Sequence, residues 1–307
     1  MAKTVPILLD TDVGTDVDDA IAIALLLAAP ELDLRAVTTV SGDVRLRARI
    51  AKKLLSLGGR AEVAVAAGVR EPILRRRNFL WLGHEGQGIV SPNEPLTLAT
   101  SHGVDLFIKT VLRERPQVVT IGPLSNLAVA IVKEPALIAA IPHLTVMGGS
   151  IGRAADVPAA EYNLGSDAEA SELVLSAGIP TTLVPLDVTF KTFFLQQDLA
   201  RLRTSPSLLV QTLCNAIEIW APIHAQFFGA TRTFDPSTVA FLHDPLTLAV
   251  VFDPSLVTTE RLHLQPTLVD GTFRLVAQAD APEFEVATAV DAPRFVEFLL
   301  QRLLSLA

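Results

Sequence analysis

The sequence predicts an α/β fold: an open, mostly parallel sheet with helices on both faces and an active site at the carboxyl ends of the strands. Short β-rich runs alternate with helical patterns over the first two thirds of the chain, which is typical of βαβ units with right-handed crossovers. Several runs are apolar throughout, as strands covered on both faces require. A dense group of aspartates directly follows the first run, at the strand end where open α/β sheets bind their ligands.

The elements of the first two thirds follow one another in a regular order. A short β-rich run marks each strand, and a helical pattern marks each helix between the strands. Strands are predicted at residues 5–10, 34–40, 62–67, 118–121, 144–147 and 181–186. Helices are predicted at residues 18–28, 45–57, 102–114, 124–133 and 167–176.

The last third of the chain has a different pattern. It predicts a helical region at 195–228, a short helix at 245–251, a hairpin at 261–277 that turns at Asp270-Gly271, and a closing amphipathic helix at 292–304. The sequence contains no repeat, low-complexity tract or Ser/Gly linker. We therefore expect residues 1–307 to form a single domain.

Composition excludes several classes of protein. Half of the residues are apolar, so a large core is available, and the net charge of −8 argues against a nucleic-acid partner. The single cysteine, Cys214, excludes an internal disulfide and fits a reducing compartment. The longest apolar helical stretch, residues 21–29, is too short to span a membrane, and the N-terminus lacks a signal-peptide core. We expect a soluble, cytoplasmic protein with no membrane partner.

The aspartate group is the most concentrated chemical feature of the chain. Five aspartates lie within ten residues, at positions 10, 12, 16, 18 and 19, with Gly14 as a hinge. Carboxylates this close repel one another unless a cation neutralises them, and hard divalent ions favour all-oxygen ligands. The alternative is a solvated acidic turn in which Asp18 or Asp19 caps the next helix. The density of aspartates favours a metal-centred active site.

Further polar segments follow other strand ends, where a core would not require them. They are Gly42-Asp43, residues 83–88 with His84, residues 161–163, and His243-Asp244-Pro245. Two long stretches without periodicity, residues 70–95 and 150–158, are also expected on this face, and loops of this length are usually functional. Each segment alone is weak evidence, but together they point to one mouth of one sheet.

Residues 10–20 resemble the signature of the nucleoside hydrolase family, the inosine–uridine-preferring N-ribohydrolases. Five more blocks resemble the same family and occur in its order: residues 38–42, 121–128, 146–149, 161–163 and 243–245. Together the six blocks span about residues 6–252. The resemblance implies an open α/β sheet, hydrolysis of the N-glycosidic bond of a ribonucleoside to free base and ribose, and a homotetramer or homodimer.

The resemblance also implies a calcium site. Ca²⁺ would be held by the carboxylates of Asp12, Asp19 and Asp244 and by the main-chain carbonyl of Ile121. A backbone ligand explains why an apolar residue can occupy position 121. Asp12 also matches the general base, since a carboxylate beside a metal-bound water can take its proton.

Further residues match positions around the substrate. By resemblance, Asp18, Met147, Glu161 and Asn163 would hold the ribose. His84 and His243 match histidines near the leaving base, and His243 is the candidate acid for its departure. Trp81, in the long stretch 70–95, is a candidate stacking surface in a mobile lid over the base, although a packed hydrophobic anchor is an equally good interpretation.

The chain departs from the family pattern at four places. Residues 15–17 stand where many members have one residue, so either Asp18 or Asp16 could take the ribose position. Asp43 replaces a common Asn and adds a negative charge close to the substrate. Ala155 stands where many members have an Asn, with Asp156 as a possible substitute, and Phe190 replaces a His. These departures bear on substrate preference more than on the reaction.

The sequence also allows three other interpretations. A haloacid-dehalogenase-type Mg²⁺ phosphohydrolase would use Asp10 as nucleophile and Asp12 as acid, but it also needs a lysine at a helix start and a late acidic pair that are not evident. An EF-hand-like loop counted from Asp10 would place Ile21 where a glutamate is required. A non-catalytic nucleoside- or sugar-binding protein would release no ribose from nucleosides.

Overall fold

The computed structural model describes residues 4–154, 161–229 and 235–306. Its strands are β1 (Val5–Thr11), β2 (Leu32–Thr39), β3 (Ala64–Ala67), β4 (Gln117–Thr120), β5 (Leu144–Met147), β6 (Thr181–Val184), β7 (Phe193–Leu195), β8 (Thr238–Phe241), β9 (Val257–Val269), β10 (Thr272–Ala277) and β11 (Glu283–Val290). Its helices are α1 (Asp18–Leu27), α2 (Val44–Leu57), α3 (Gly103–Glu114), α4 (Ser125–Lys133), α5 (Leu137–Ala140), α6 (Tyr162–Ser166), α7 (Ala168–Leu175), α8 (Leu186–Thr189), α9 (Gln196–Leu202), α10 (Leu208–Gly229), α11 (His243–Val250) and α12 (Ala292–Leu304).

Nine of the described strands form one sheet in the order β10-β9-β11-β6-β5-β4-β1-β2-β3. Seven neighbouring strands of the sheet, β11, β6, β5, β4, β1, β2 and β3, are parallel to one another. Strand β9 runs antiparallel to both β11 and β10. Strands β7 and β8 form a separate antiparallel pair. The predicted fold class, an open and mostly parallel sheet with helices, is confirmed.

The strand order places a crevice beside β1. From β1 the chain adds β2 and β3 on one side, and it then crosses to build β4, β5 and β6 on the other side. Ligands of open α/β sheets bind outside the carboxyl ends of the strands where the order reverses in this way. Asp10 pairs in register with Thr38 of β2 and Thr120 of β4, so the chain beyond Asp10 opens into this crevice.

The core fills both faces of the sheet because β1 is apolar on both sides. Ile7 and Leu9 pack into one buried cluster, and Leu8 packs into another with Phe107 of α3. Burying each such side chain stabilises the fold by about 1.5–3 kcal/mol. The helices on the two faces therefore hold the carboxyl end of β1 in a fixed position.

The predicted helices and strands are found with ends shifted by a few residues, with one larger exception. The region predicted as helical at 195–228 forms two helices, because Pro206 lies between α9 and α10 and disfavours helical backbone in the residue before it. The predicted hairpin turns at Asp270 and Gly271, whose φ angles of 49° and 74° suit a type I′ turn. Strands β7, β8 and β11 were not predicted.

Among the described residues, no helix is both long and apolar enough to cross a bilayer.

Candidate active site

A cavity of about 300 Å³ opens at the carboxyl ends of β1, β4 and β5. It is lined by Asp12, Thr15, Asp16, Asp18, Asp19, Leu80, Ile121, Met147, Glu161, Tyr162, Asn163, Leu186, Phe190, Trp220, His243 and Asp244. A wider depression of about 1160 Å³ lies elsewhere, beside Arg45, Arg49 and Arg70, and contains none of these aspartates. The chemistry therefore concentrates in the smaller cavity.

Three carboxylates converge in this cavity from two helix N-termini. Asp18 and Asp19 begin α1, Asp244 lies in the first turn of α11, and one oxygen of each lies within 4.8 Å of the other two. The Asp244 amide donates to Asp18 Oδ2 at 3.3 Å, and the Thr11 hydroxyl donates to Asp19 Oδ1. The N-terminal ends of helices favour negative charge, which partly offsets the repulsion.

Burial makes this cluster costly to ionise without a cation. It raises the pKa of Asp18, Asp19 and Asp244 well above the usual range, and the neighbouring carboxylates raise these pKa values further. Oxygen ligands at this density suit a hard divalent ion. Within the described parts of the chain, these three residues form the group of acidic, histidine or cysteine side chains close enough to hold a metal.

Asp12 faces the same cavity but is not one of the three convergent carboxylates. Burial raises its pKa to about 6, while Arg47 lowers it. Gly122 leaves room for Asp12, because a Cβ there would lie 2.8 Å from Asp12 Oδ1. Ile121 also lines the cavity, next to Gly122. The residues expected to hold the metal are thus brought together, and Asp18 joins them.

Asp10 lies beneath the cavity rather than in its lining. It is fully buried, and its Oδ1 accepts hydrogen bonds from Thr38 Oγ1 at 2.5 Å and Asn126 Nδ2 at 2.7 Å. Asn126 Oδ1 in turn accepts from the amide of Val69, which lies between β3 and the 70–95 stretch. Asp10 therefore connects three strand ends and is not placed to attack a substrate.

Three of the four residues expected to hold the ribose are joined by hydrogen bonds around Glu161, while Asp18 lies in the carboxylate cluster. The carboxylate of Glu161 accepts from the amides of Asn163 at 2.6 Å, Leu164 at 2.8 Å and Gly149 at 3.0 Å. Asn163 Nδ2 donates to the carbonyl of Met147 at 3.3 Å. These bonds fix Glu161 at the start of α6, and Met147, Glu161 and Asn163 all face the cavity.

His243 also lines the cavity, among aromatic rings. Its Nδ1 lies 2.7 Å from Thr189 Oγ1, and the Phe190 ring contacts it edge-on at 5.0 Å between centroids. Burial lowers its pKa to about 3, with a smaller effect from His224, so the ring is neutral at pH 7. Leu186 and Phe190 add apolar side chains to the same cavity lining.

Three residues expected near the substrate lie outside the cavity lining. His84 Nε2 lies 2.8 Å from the carbonyl of Thr15, and its ring stacks on Trp220 at 5.6 Å. Trp81 is 39% exposed and lies over the guanidinium of Arg47 at 5.2 Å. Asp43 is exposed and caps α2 by accepting from two backbone amides. The positions of Ala155 and Asp156 lie outside the described residues.

Sequence reasoning assigned no role to several residues that form or support the cavity. Tyr162 stands inside a block that resembles the family, yet only its neighbours were given roles. Trp220 lines the cavity, and no local signal in the sequence marks its position. Arg47 also had no assigned role, but the sequence contained a signal for it. A charged residue among the buried positions of the amphipathic helix α2 indicates a specific buried contact.

Comparison with known proteins identifies a common group of relatives. The model of a family described as inosine-uridine preferring nucleoside hydrolase matches residues 7–297. The chain is 34% identical over 319 residues to the pyrimidine-specific ribonucleoside hydrolase RihA of Citrobacter koseri, covering 97% of each protein. It is 33% identical over 319 residues to the enzyme of the same name from Escherichia coli O1:K1, covering 97% of this chain and 98% of that protein.

Two solved structures support the same relationship. A plant nucleoside hydrolase superposes with a TM-score of 0.85 at 26% identity, covering 98% of this chain and 99% of that one. The purine-preferring ribonucleoside hydrolase from Gardnerella vaginalis superposes with a TM-score of 0.85 at 27% identity, covering 98% of each chain.

Proposed function

The chain belongs to the inosine-uridine preferring nucleoside hydrolase family and is a ribonucleoside hydrolase, and on this premise we propose that its reaction depends on Ca²⁺ and on Asp12 as general base. The observation that carries the proposal is the convergence of Asp18, Asp19 and Asp244 in a cavity that Asp12 also faces. A bound divalent cation would neutralise these carboxylates, orient the sugar hydroxyls and acidify a bound water.

The donor set fits calcium better than a softer metal. The three convergent side chains are carboxylates, and within the described residues neither cysteine nor histidine belongs to the group. Asp12 and the carbonyl of Ile121 would complete an all-oxygen shell, since both residues line the cavity. Hard oxygen ligands are those that Ca²⁺ takes in proteins.

Asp12 is the proposed base because its carboxylate lines the cavity and has a suitable pKa. Burial raises the pKa to about 6, so the carboxylate is ionised at neutral pH and remains a useful proton acceptor. Asp12 takes a proton from water as the water oxygen bonds to the anomeric carbon of the ribose. The bond from that carbon to the base nitrogen breaks, and its electron pair leaves with the base.

The cavity suits the charge that develops in this step. N-glycosidic cleavage passes through an oxocarbenium-like state, in which positive charge grows on the sugar. Oriented carboxylates around the sugar stabilise that charge. Glu161 and Asn163, held by their own backbone hydrogen bonds, are proposed to bind the ribose hydroxyls without moving.

His243 is proposed to assist departure of the base. A neutral imidazole can donate one hydrogen bond from the ring nitrogen that does not face Thr189 Oγ1. A cation bound nearby would disfavour the imidazolium further, so His243 acts through this hydrogen bond. The apolar rings beside it exclude water and strengthen that bond.

A phosphohydrolase mechanism is disfavoured by the position of Asp10. The nucleophile in that mechanism would be Asp10, which is fully buried, held by Thr38 and Asn126, and absent from the cavity lining. Cytoplasmic location and assembly into a homodimer or homotetramer stay predictions. Size-exclusion chromatography with light scattering, which gives the mass of the assembly, tests the prediction of a homodimer or homotetramer.

Steady-state hydrolysis of inosine, adenosine, guanosine, uridine, cytidine and a nitrophenyl riboside tests the proposed function. Both classes of base are included because the relatives' names divide between them. Ribose, measured as reducing sugar, should equal the free base released. Binding of these nucleosides by the calcium-loaded protein with no ribose release would instead show a non-catalytic binding protein and overturn the proposal.

A further inference from the structure

Arg47 is a buried cation directly behind the residues that carry the aspartates. Its side chain is 0% exposed, although it lies on α2 and not in the cavity lining. Its Nη1 donates to the carbonyls of Asp12 and of Val13, the latter at 3.1 Å, and its Nε donates to the carbonyl of Ser41 at 2.7 Å. The guanidinium thus holds the end of β1 and the end of β2 together.

A fourth hydrogen bond of Arg47 reaches residues 15–17, where many members of the family have one residue. We define the aspartate loop as residues 12–17, between β1 and α1. Arg47 Nη2 donates to Thr15 Oγ1 at 3.0 Å, and the Thr15 hydroxyl donates to Glu85 Oε1 at 3.3 Å. The planar guanidinium matches several acceptors at fixed angles, which a lysine ammonium cannot do. The bonds to Asp12, Val13 and Thr15 therefore define the course of this loop.

Thr15 also connects the aspartate loop to the closing segment, which we define as residues 79–88. Glu85 accepts from the amides of Leu82 and Gly83, both at 2.7 Å, in addition to the bond from Thr15. His84 Nε2 meets the Thr15 carbonyl at 2.8 Å. Leu80, within the closing segment, lines the cavity. Order in the loop and order in the segment are therefore linked through one residue.

The positive charge of Arg47 also acts on the aspartates themselves. Its positive charge lowers the pKa of both Asp12 and Asp19, against the effect of burial. A positive charge also repels a bound cation, so the proposed role rests on the hydrogen bonds of Arg47 and not on its charge. Mutating hydrogen-bonding groups that orient metal ligands without touching the metal commonly changes metal affinity by roughly 10- to 100-fold.

We propose that Arg47 is a positioning residue that fixes the aspartate loop for metal binding and, through Thr15, holds the closing segment over the cavity. This inference rests on the proposed function, since it deepens the role of the same site.

Calcium titration into EDTA-treated protein, followed by calorimetry, tests the first half of the inference. Arg47→Met should weaken the Kd for Ca²⁺ by roughly 10-fold or more. Lys52→Met is the matched control, because Lys52 is a second buried cation on α2 whose Nζ donates to the carbonyls of Ala61 and Val63, away from the site. A Kd for Arg47→Met within twofold of that for Lys52→Met would overturn the inference.

Arg47→Lys separates charge from geometry. It keeps the positive charge but loses the planar fork, so we expect it to recover less than half of the loss in log Kd. At saturating calcium, kcat should stay reduced in Arg47→Lys while KM changes less, since Asp12 is then out of position. Full recovery of both Kd and kcat by lysine would mean that charge alone matters, and would contradict the positioning role.

Thr15→Val tests the second half and remains informative if Arg47→Met does not fold. Valine keeps the shape of threonine but cannot bond to Arg47 or Glu85. Chymotrypsin should cleave the closing segment after Leu80 or Trp81 several-fold faster than in Thr204→Val, which removes an exposed hydroxyl elsewhere. Equal cleavage and equal calcium Kd in the two variants would refute the link.

If wild-type protein hydrolyses no nucleoside, the proposed function fails, while Kd and cleavage still decide the role of Arg47.

Discussion

At the scale of single residues, Asp12 stands between two opposing influences on its carboxylate. Burial raises its pKa to about 6, and Arg47 limits that rise. Asp12→Asn keeps the shape and a ligand oxygen but cannot take a proton, so kcat should fall by roughly 10²- to 10⁴-fold with little change in melting temperature. Asp105→Asn, on the exposed face of α3, is the control and should retain full turnover. An Asp12→Asn enzyme within a factor of ten of wild type would remove Asp12 as the base.

His243 can be separated from the sugar chemistry by changing the leaving group. A nucleobase leaves more readily when it accepts a hydrogen bond, whereas nitrophenolate leaves unaided. His243→Ala should therefore reduce the kcat/KM for inosine by roughly 10²-fold or more and leave nitrophenyl riboside hydrolysis nearly unchanged. Parallel kinetics on the two substrates decide the matter. An equal loss on both would show that His243 instead orders its neighbour Asp244.

At the scale of secondary-structure elements, Tyr162 joins α6 to the closing segment. The backbone amide of Leu80 donates to the Tyr162 hydroxyl at 3.0 Å, and both residues line the cavity. Tyr162→Phe removes one neutral hydrogen bond, worth about 0.5–1.5 kcal/mol, so the KM for nucleosides should rise by up to about tenfold while kcat changes less. Steady-state kinetics with a thermal melt check this. An unchanged KM with a lowered melting temperature would assign the bond to stability alone.

Helices and strands with strong local patterns were predictable, and those that depend on distant pairing were not. The prediction of residues 144–147 as a strand and 292–304 as a helix matches the structure, because each has a full local signal. Strand β11 was missed because it is stabilised by pairing with β6 and β9, which are remote in sequence. Strands β7 and β8 are only three and four residues long and stabilise each other across more than forty residues of chain.

Within the site, sequence reasoning found residues with functional polar groups and missed those that supply shape or support. The resemblance to family motifs predicted that Asp12, Asp19 and Asp244 share one site, and all three line the same cavity in the structure. Trp220 comes from α10, and nothing local marks one face of a long apolar helix as cavity wall. Trp81 was expected over the base, yet its ring lies on Arg47, because a buried guanidinium attracts an aromatic face.

At the scale of the whole molecule, the buried carboxylates link stability to pH and to metal. Burial raises the pKa of Asp10 from 3.8 to about 7 and that of Asp12 to about 6, so the folded metal-free protein retains these protons to higher pH than the unfolded chain. Their stabilising contribution is complete below about pH 4 and is lost as the pH rises through 6 to 7. The melting temperature of EDTA-treated protein should therefore fall between pH 5 and pH 8. Added Ca²⁺ should raise it more at pH 8 than at pH 5, and an equal rise at both would contradict this linkage.

We propose that the ribonucleoside hydrolase activity depends on a calcium ion held by Asp18, Asp19 and Asp244. The most direct test is one titration in which Ca²⁺ is added back to EDTA-treated wild-type protein while bound calcium and ribose release are measured together. We expect ribose release to be lost when the metal is removed and to rise in proportion to bound calcium, until both saturate at about one ion per chain. Full ribose release by the stripped protein would contradict it.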